Sequence, residues 1–360
     1  MMLLKLLERL PKENFEAHVI SLTTLGELAP RMAAQGIPVE AAGFRFGLSL
    51  PGDFIRLIGR IRSIKPDIVH TWLYYADAIG GLAARLAGIK KIAWCLRSGK
   101  MDKKRSFFSR KLGLPLCALF SRFIPDKIIS CSQNAIHIHA KIGYPLEKMM
   151  LIPNGFDLEK YKPDPLAKVK LQAELKLDKG TPLVGIIGRF HSMKNHTGFL
   201  QAASLVARNI PEAHFVLVGA GLDENNTILV ENAKRNEINE KISLLGLRQD
   251  IPYIMSGLNV AVSSSASGEA FPNVLGEAMA SGVPCVVTDV GDSAYIVGDT
   301  GVVVPPGDMA GLAAGIEKLL HLSAKERGAL GERARERIKT NFEIGEITLK
   351  YEAFYRDLFA

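Results

Sequence analysis

The sequence predicts an α/β protein built as two doubly wound domains, and three observations predict it. Short β-branched-rich runs alternate with longer helical segments along the chain. In the second half those runs end in Gly, Ser or Asp, and open parallel sheets place ligands at such strand ends. The alternation stops once, at IPNGFDLEKYKPDP (152–165), whose three prolines and turn residues have no regular period, and then restarts. At 360 residues the chain is long for one core and comfortable for two domains of about 150–180 residues.

In the first half, AHVISL (17–22), DIVHTW (67–72), KIAWCL (91–96) and KIISCS (127–132) read as strands. Asp53 to Ile64 and Ala76 to Leu86 read as helices between them. The chain opens on a helix, because Leu3, Leu4, Leu6, Leu7 and Leu10 are spaced for one buried face and no strand precedes them. In the second half LVGIIGR (183–189), AHFVLVGAG (213–221), KISLLG (241–246), NVAVSSS (259–265) and VPCVVTD (283–289) read as a second parallel sheet. The final segment is amphipathic and aromatic, with Phe342, Tyr351, Phe354 and Tyr355, and is expected to cross back onto the first domain. The expected boundaries are 1–160, 161–341 and, for the returning helix, 342–360.

Composition narrows the function. Four scattered cysteines, Cys95, Cys117, Cys131 and Cys285, form no C-x-x-C, which fits a reducing compartment and neither a disulfide framework nor structural zinc. Lys5, Glu8 and Arg9 interrupt the N-terminal leucines, so no signal peptide is expected. The longest uncharged run, Ile251 to Gly268, is too rich in Ser and Gly to span a membrane. The net charge of +8 is concentrated between Lys90 and Lys127, where eleven Lys or Arg face two Asp. Phe107, Phe108, Leu112, Leu114, Leu116, Leu119, Phe120, Phe123 and Ile124 are interleaved there. Such a segment either rests on an anionic membrane or packs its apolar side on its own domain while the lysines are solvated. No nucleic-acid-binding motif accompanies the charge, so nucleic acid is not an expected partner.

The stretch GEAFPNVLGEAMASGVPCVVTDVGD (268–292) sets Glu269 and Glu277 on either side of a Pro-Asn turn. Pro272 disfavours helix before it and Asn273 is a good N-cap. Val274, Leu275 and Gly276 would then offer backbone N–H groups at a helix N-terminus, a seat for a diphosphate. Glu277 would lie where its oxygens accept from the vicinal hydroxyls of a ribose, and Glu269 beyond the phosphates, near sugar hydroxyls. A bare pair of glutamates at this spacing is ordinarily a solvated loop residue and a helix-dipole partner; the motif around it is what favours a site. A second element, GIIGRFHSMKN (185–195), ends a strand in Gly188 and places Arg189 and Lys194 in the loop that follows. Two fixed cations there would stabilise the charge that develops on a leaving diphosphate. VLVGAGLDEN (216–225) offers Gly219 and Gly221 but lacks the third glycine of a dinucleotide fingerprint, so a nicotinamide cofactor is not expected.

Taken together, PNGFD (153–157), GRFHSMKN (188–195), VLVGAG (216–221), EAFPNVLGEAMASGVP (269–284) and TDVGD (288–292), in this order, resemble the retaining glycosyltransferases of family four. The resemblance implies a GT-B fold, two facing Rossmann-like domains with a cleft between them. It implies that Arg189 and Lys194 bind the diphosphate, Glu277 the ribose and Glu269 the donor sugar. Backbone at Phe271, Pro272, Asn273, Val274 and Leu275 would contact sugar and phosphate, and Leu247 and Arg248 would lie by the base. Gly188, Gly219 and Asn154 belong to the matching motifs and are taken with them as donor-side residues. Relatives often carry a functional histidine after the third strand of the first domain. His70 is the candidate, although Trp72 and Tyr75 may stand where relatives have it, and a strand-end histidine is more often structural. Tyr74, Asp77, Arg97 and Ser98 lie in the same loops.

No Asp-x-Asp is present, Asp157-Leu158-Glu159 being the nearest, and the expectation is a metal-independent enzyme with no cofactor beyond its donor substrate. The first domain of the family opens with a strand and a glycine-rich loop ahead of the helix that MLLKLLERL resembles, and neither is seen here. A parallel sheet without that inner strand is expected to show unpaired edges and a gap in its core. The expected function is transfer of a sugar from a UDP-linked donor to a glycan or lipid-linked acceptor in envelope polysaccharide or glycolipid synthesis. The expected place is the cytoplasm, at the inner face of the plasma membrane where the basic segment engages it. The alternatives are a non-catalytic nucleotide-sugar-binding protein and a GT-B nucleotide-sugar epimerase.

Overall fold

The computed structural model describes residues 2–45, 50–99 and 113–360. The chain forms two compact units, one of Met1–Gly155 with Ile344–Ala360 and the other of Phe156–Glu343. The first division falls five residues ahead of the expected one for a packing reason. Phe156 is fully buried and stacks 6.2 Å from Phe271, inside the second unit. Ile344 packs instead into the core of the first unit.

The first unit holds β1 (Val19–Ser21), β2 (Val39–Ala41), β3 (Ile68–His70), β4 (Lys91–Leu96), β5 (Lys127–Ser130) and β6 (Met149–Leu151). All pairings are parallel, but they form two sheets: β1 with β2, and β3-β4-β5-β6. Among the described residues no strand joins β1 to β3, so the expected gap lies between them. Alternate residues of the four-stranded sheet feed two clusters. Ala93, Cys95 and Ile129 pack with the opening helix Met2–Leu7 and the helix Ile344–Phe359. Ile92, Trp94, Leu96 and Ile128 pack with Leu57, Ile61, Ala83 and Ala84.

The second unit carries β7 (Leu183–Ile187), β8 (His214–Val218), β9 (Ile242–Leu244), β10 (Val260–Ser263), β11 (Cys285–Thr288) and β12 (Val302–Val304). The parallel order is β12-β11-β10-β7-β8-β9, the doubly wound dinucleotide-fold order. Its central strands read as near-continuous Val, Ile and Leu because helices cover both faces. The order turns between β7 and β10, where successive connections leave in opposite directions and the loops open a crevice. The loops holding Arg189, Lys194 and Glu269 follow those two strands.

All four cysteines are free and buried. Among the described residues no helix is long and apolar enough to cross a membrane. The centre of the basic segment, with Phe107, Phe108, Leu112 and most of its lysines, lies outside the described residues. Of its flank, the helix Leu114–Ser121 buries Cys117 and Ala118 and turns Leu116 and Leu119 outward; Phe123, just beyond, is 72% exposed.

Candidate active site

The loop after β7 is shaped by short-range hydrogen bonds. His191 Nδ1 accepts from the Met193 amide at 3.2 Å, tightening the turn Ser192–Lys194. Asn195 takes a left-handed conformation and its side chain accepts from the Gly198 amide at 3.3 Å, starting the helix His196–Asn209. The loop after β10 is fastened to it: Ala266 N donates to Met193 O at 2.8 Å and Ser264 Oγ to Lys194 O at 2.9 Å. Thr288 Oγ1, at the end of β11, donates to Ser265 O at 2.7 Å.

These contacts bring two of the expected residues together. Lys194 Nζ lies 2.7 Å from Glu269 Oε1, which also accepts from Ser265 Oγ at 3.0 Å. Both side chains keep contact with solvent, at 22% and 14% exposure, so the pair is held yet reachable. Arg189 is exposed, with no hydrogen bond or ion pair among the described residues. His196, at the base of the same loop, stacks 5.6 Å from Phe190. Burial, with the Lys194 charge beside it, pushes the His196 imidazole down to about 4, so it stays neutral.

Two close approaches fix the loops. A Cβ on Gly219 would lie 2.3 Å from the Gly188 carbonyl oxygen, and φ there is +149°. The loop after β8 therefore presses on the loop after β7, and Gly188 N donates to Val218 O at 2.8 Å. A Cβ on Gly291 would lie 2.6 Å from Glu269 O, and Asp292 N donates to Ala270 O at 2.9 Å. The TDVGD turn thus seats the backbone that carries Glu269. Only glycine fits at either place.

The helix expected after the Pro-Asn turn runs Asn273–Ala280, and its N-cap is Pro272, not Asn273. Pro272 has an extended backbone, and no side chain caps the helix. The Leu275 amide donates to Pro272 O at 3.2 Å, so it is not one of the open first-turn donors. The Phe271 side chain is buried 5.6 Å from Phe342, which limits it to a packing role and leaves its backbone to face the loop. Glu277 is half-buried and accepts from the hydroxyl of Tyr161; burial and this carboxylate raise the Tyr161 phenol well above its ordinary range. Sequence reasoning missed Tyr161 and Ser265. One stands in the irregular proline-rich stretch and the other in a run of serines, and neither carries a periodic or motif signal.

Arg248 follows β9 but is engaged in a double ion pair, 2.5 Å from Glu174 and 2.6 Å from Asp250, while Leu247 beside it is 76% exposed. Asn154 falls in the first unit, where it is buried and accepts from Arg97 Nη2 at 2.5 Å. It is a structural neighbour of Arg97, and the donor-side expectation for it is corrected. His70 is corrected as well. It ends β3 with Nδ1 2.8 Å from Tyr355 Oη and is packed by Trp72, Tyr351 and Phe354. Burial, then the Arg97 charge, drives its imidazole down to about 3. That is a core histidine with no proton to give near neutral pH. Asp77 is buried, accepts from Thr71 Oγ1 at 2.6 Å and is pushed up to about 8 by burial. Among the described residues no group of three or more His, Cys, Asp or Glu could hold a metal ion.

The strand order, the crevice loops and the Lys194–Glu269 pair define a nucleotide-binding α/β protein of GT-B fold. The chain belongs to glycosyltransferase family 4 and is a glycosyltransferase. Residues 1–160 match the model described as "Glycosyltransferase Family 4" and residues 168–337 the one described as "Glycosyl transferases group 1". It is 29% identical over 301 residues to an Escherichia coli protein, covering 81% of this chain and 76% of that one. That protein is a UDP-Gal:alpha-D-GlcNAc-diphosphoundecaprenol alpha-1,3-galactosyltransferase. It is 30% identical over 250 residues to the putative glycosyltransferase EpsF of Bacillus subtilis, 68% of this chain but 63% of that one. Among solved structures, Anabaena Alr3699/HepE in complex with UDP superposes with a TM-score of 0.85 at 21% identity, covering 98% of this chain and 95% of that one.

Proposed function

We propose that this chain moves a hexosyl or N-acetylhexosaminyl unit from a UDP-linked donor to a lipid-linked or glycan acceptor, with retention at the anomeric carbon. The observation that carries the reading is the Lys194–Glu269 pair at the turning point of the second sheet. A diphosphate arriving there competes with Glu269 for Lys194, and Arg189 is exposed to give a second, bidentate cation. The released Glu269 then accepts from donor-sugar hydroxyls, and Glu277, steadied by Tyr161, accepts from the ribose. The amides of the first turn of the helix Asn273–Ala280 face the phosphates, and Leu247 borders the base. UDP as the nucleotude draws support from the solved relative named with it, and a lipid-linked acceptor from the Escherichia coli protein's name.

In this reading the C1–O bond to the β-phosphate breaks as the bond from C1 to the acceptor oxygen forms on the same face. The acceptor proton passes to the departing phosphate oxygen. Lys194 and Arg189 hold the charge that develops, so the step calls for no resident metal or other cofactor. Incubation with UDP-sugars and a lipid-diphosphate-linked acceptor tests this: the expected product has an α-linkage from an α-donor. An inverted product, or an epimerised donor without acceptor, would sink it. A second reading, binding without turnover, is favoured by the divided sheet of the first unit. Saturable UDP binding with no product from any donor would establish it.

We place the enzyme on the cytoplasmic face of the membrane. Leu116, Leu119 and Phe123 face outward beside Arg122, continuing the basic segment. Phe123→Glu is expected to lower sedimentation with vesicles containing phosphatidylglycerol about tenfold relative to the parent protein; equal sedimentation contradicts the placement.

A further inference from the structure

The two sheets of the first unit leave a slot with the character of a missing strand. β1 pairs on one side with β2, and β3 on one side with β4; among the described residues neither has a strand on its other side. Between them lies a cavity of about 710 Å³, lined by Ile20, Ile68 and His70 on the strands and by Leu7, Leu57 and Ile61 from the helices that flank them. In a parallel ladder, alternate residues turn their peptide groups to opposite neighbours. Val19 N donates to Pro38 O and Thr71 N to Ala93 O, toward β2 and β4. The peptide groups of Ile20, Ile68 and His70 therefore point into the slot.

The side chains around it follow the same alternation. Val19 and Ile68 pack with the cluster that holds Leu7 and Tyr351, and Ile20 and Val69 with the cluster that holds Leu57 and Trp94. Both apolar layers run up to the slot from β1 and from β3. A strand laid there would sit about 4.8 Å from each neighbour and send successive side chains into one layer and then the other. Its side chains must be apolar on both faces, as in strands buried in a parallel sheet.

We propose that this slot binds an extended apolar peptide segment of about five residues, parallel to β1 and β3 and recognised through its backbone, which joins the two sheets into one. The segment is supplied by another polypeptide. Both rows of open amide and carbonyl groups are satisfied only by a strand; a compact small molecule fills the volume without pairing two edges at once.

The test leaves the protein unaltered. A fluorescent, end-capped peptide of five valine and isoleucine residues flanked by lysines is titrated into it, beside the same peptide N-methylated at alternate amides. The proposal expects saturable binding of the first, a rise in melting temperature, and affinity at least about tenfold weaker for the methylated peptide. Hydrogen exchange should slow at the amides of Ile20, Ile68 and His70. No saturable binding, equal binding of the two peptides, or protection confined to other amides would overturn it. The readouts do not involve the nucleotide site, so this proposal and the donor reading fail or stand separately.

Discussion

Lys194→Ala is expected to lower turnover about a hundred- to a thousandfold while leaving the thermal midpoint nearly unchanged. Removing one preorganised donor from a developing negative charge costs about 2.7–4 kcal/mol of barrier. The Lys194 ammonium lies 2.7 Å from Glu269, so it is already positioned where the loops after β7 and β10 meet. The pair is partly exposed, so its own contribution to stability is small. The substitution leaves Glu269 with the Ser265 hydroxyl and solvent rather than stranded in the core. The kcat effect should exceed the effect on donor KM, because the charge is greatest in the transition state. A kcat within about threefold of the parent's would remove Lys194 from the reaction.

Gly219→Ala is expected to destabilise the second unit by about 2–4 kcal/mol and to weaken donor binding with it. The added methyl would stand 2.3 Å from the Gly188 carbonyl oxygen and 3.0 Å from the Arg189 amide. Neither is a flexible side-chain end, so the two loops must separate. Because the Arg189 amide is one of the atoms pushed, the damage reaches the phosphate side of the crevice directly. Chemical denaturation of the variant measures the first effect. A loss below about 0.5 kcal/mol would mean that the loops after β7 and β8 do not press together as described.

Much of this architecture is legible in the chain because doubly wound sheets write themselves as buried strands. HFVLV and CVVT are continuous apolar runs in the sequence and fully buried strands in the fold. The strands that escaped notice are short. Met149–Leu151 has no β-branched residue, Val39–Ala41 carries Glu40 at its centre, and Val302–Val304 is three residues at a sheet edge. The site was legible where residues lie within one motif, as with the loop of Arg189 and Lys194. It was obscure where a partner comes from a distant, unpatterned stretch, as Tyr161 does for Glu277. His70 shows the converse. A histidine at a strand end looks available in sequence, but only the fold reveals the aromatic helix Ile344–Phe359 packed against it. Asn154 was grouped with the donor residues because its motif was, although two residues along the same motif Phe156 enters the other unit.

The claim that the second unit grips a nucleoside diphosphate at its crevice is tested most directly by calorimetric titration of UDP into the protein and into Arg189→Ala. Arg189 is exposed and pairs with nothing among the described residues, so its loss leaves the fold intact. The account predicts one saturable site, weakened about tenfold or more by the substitution and by raised salt. UDP that fails to bind, or that binds both proteins equally well, would contradict it.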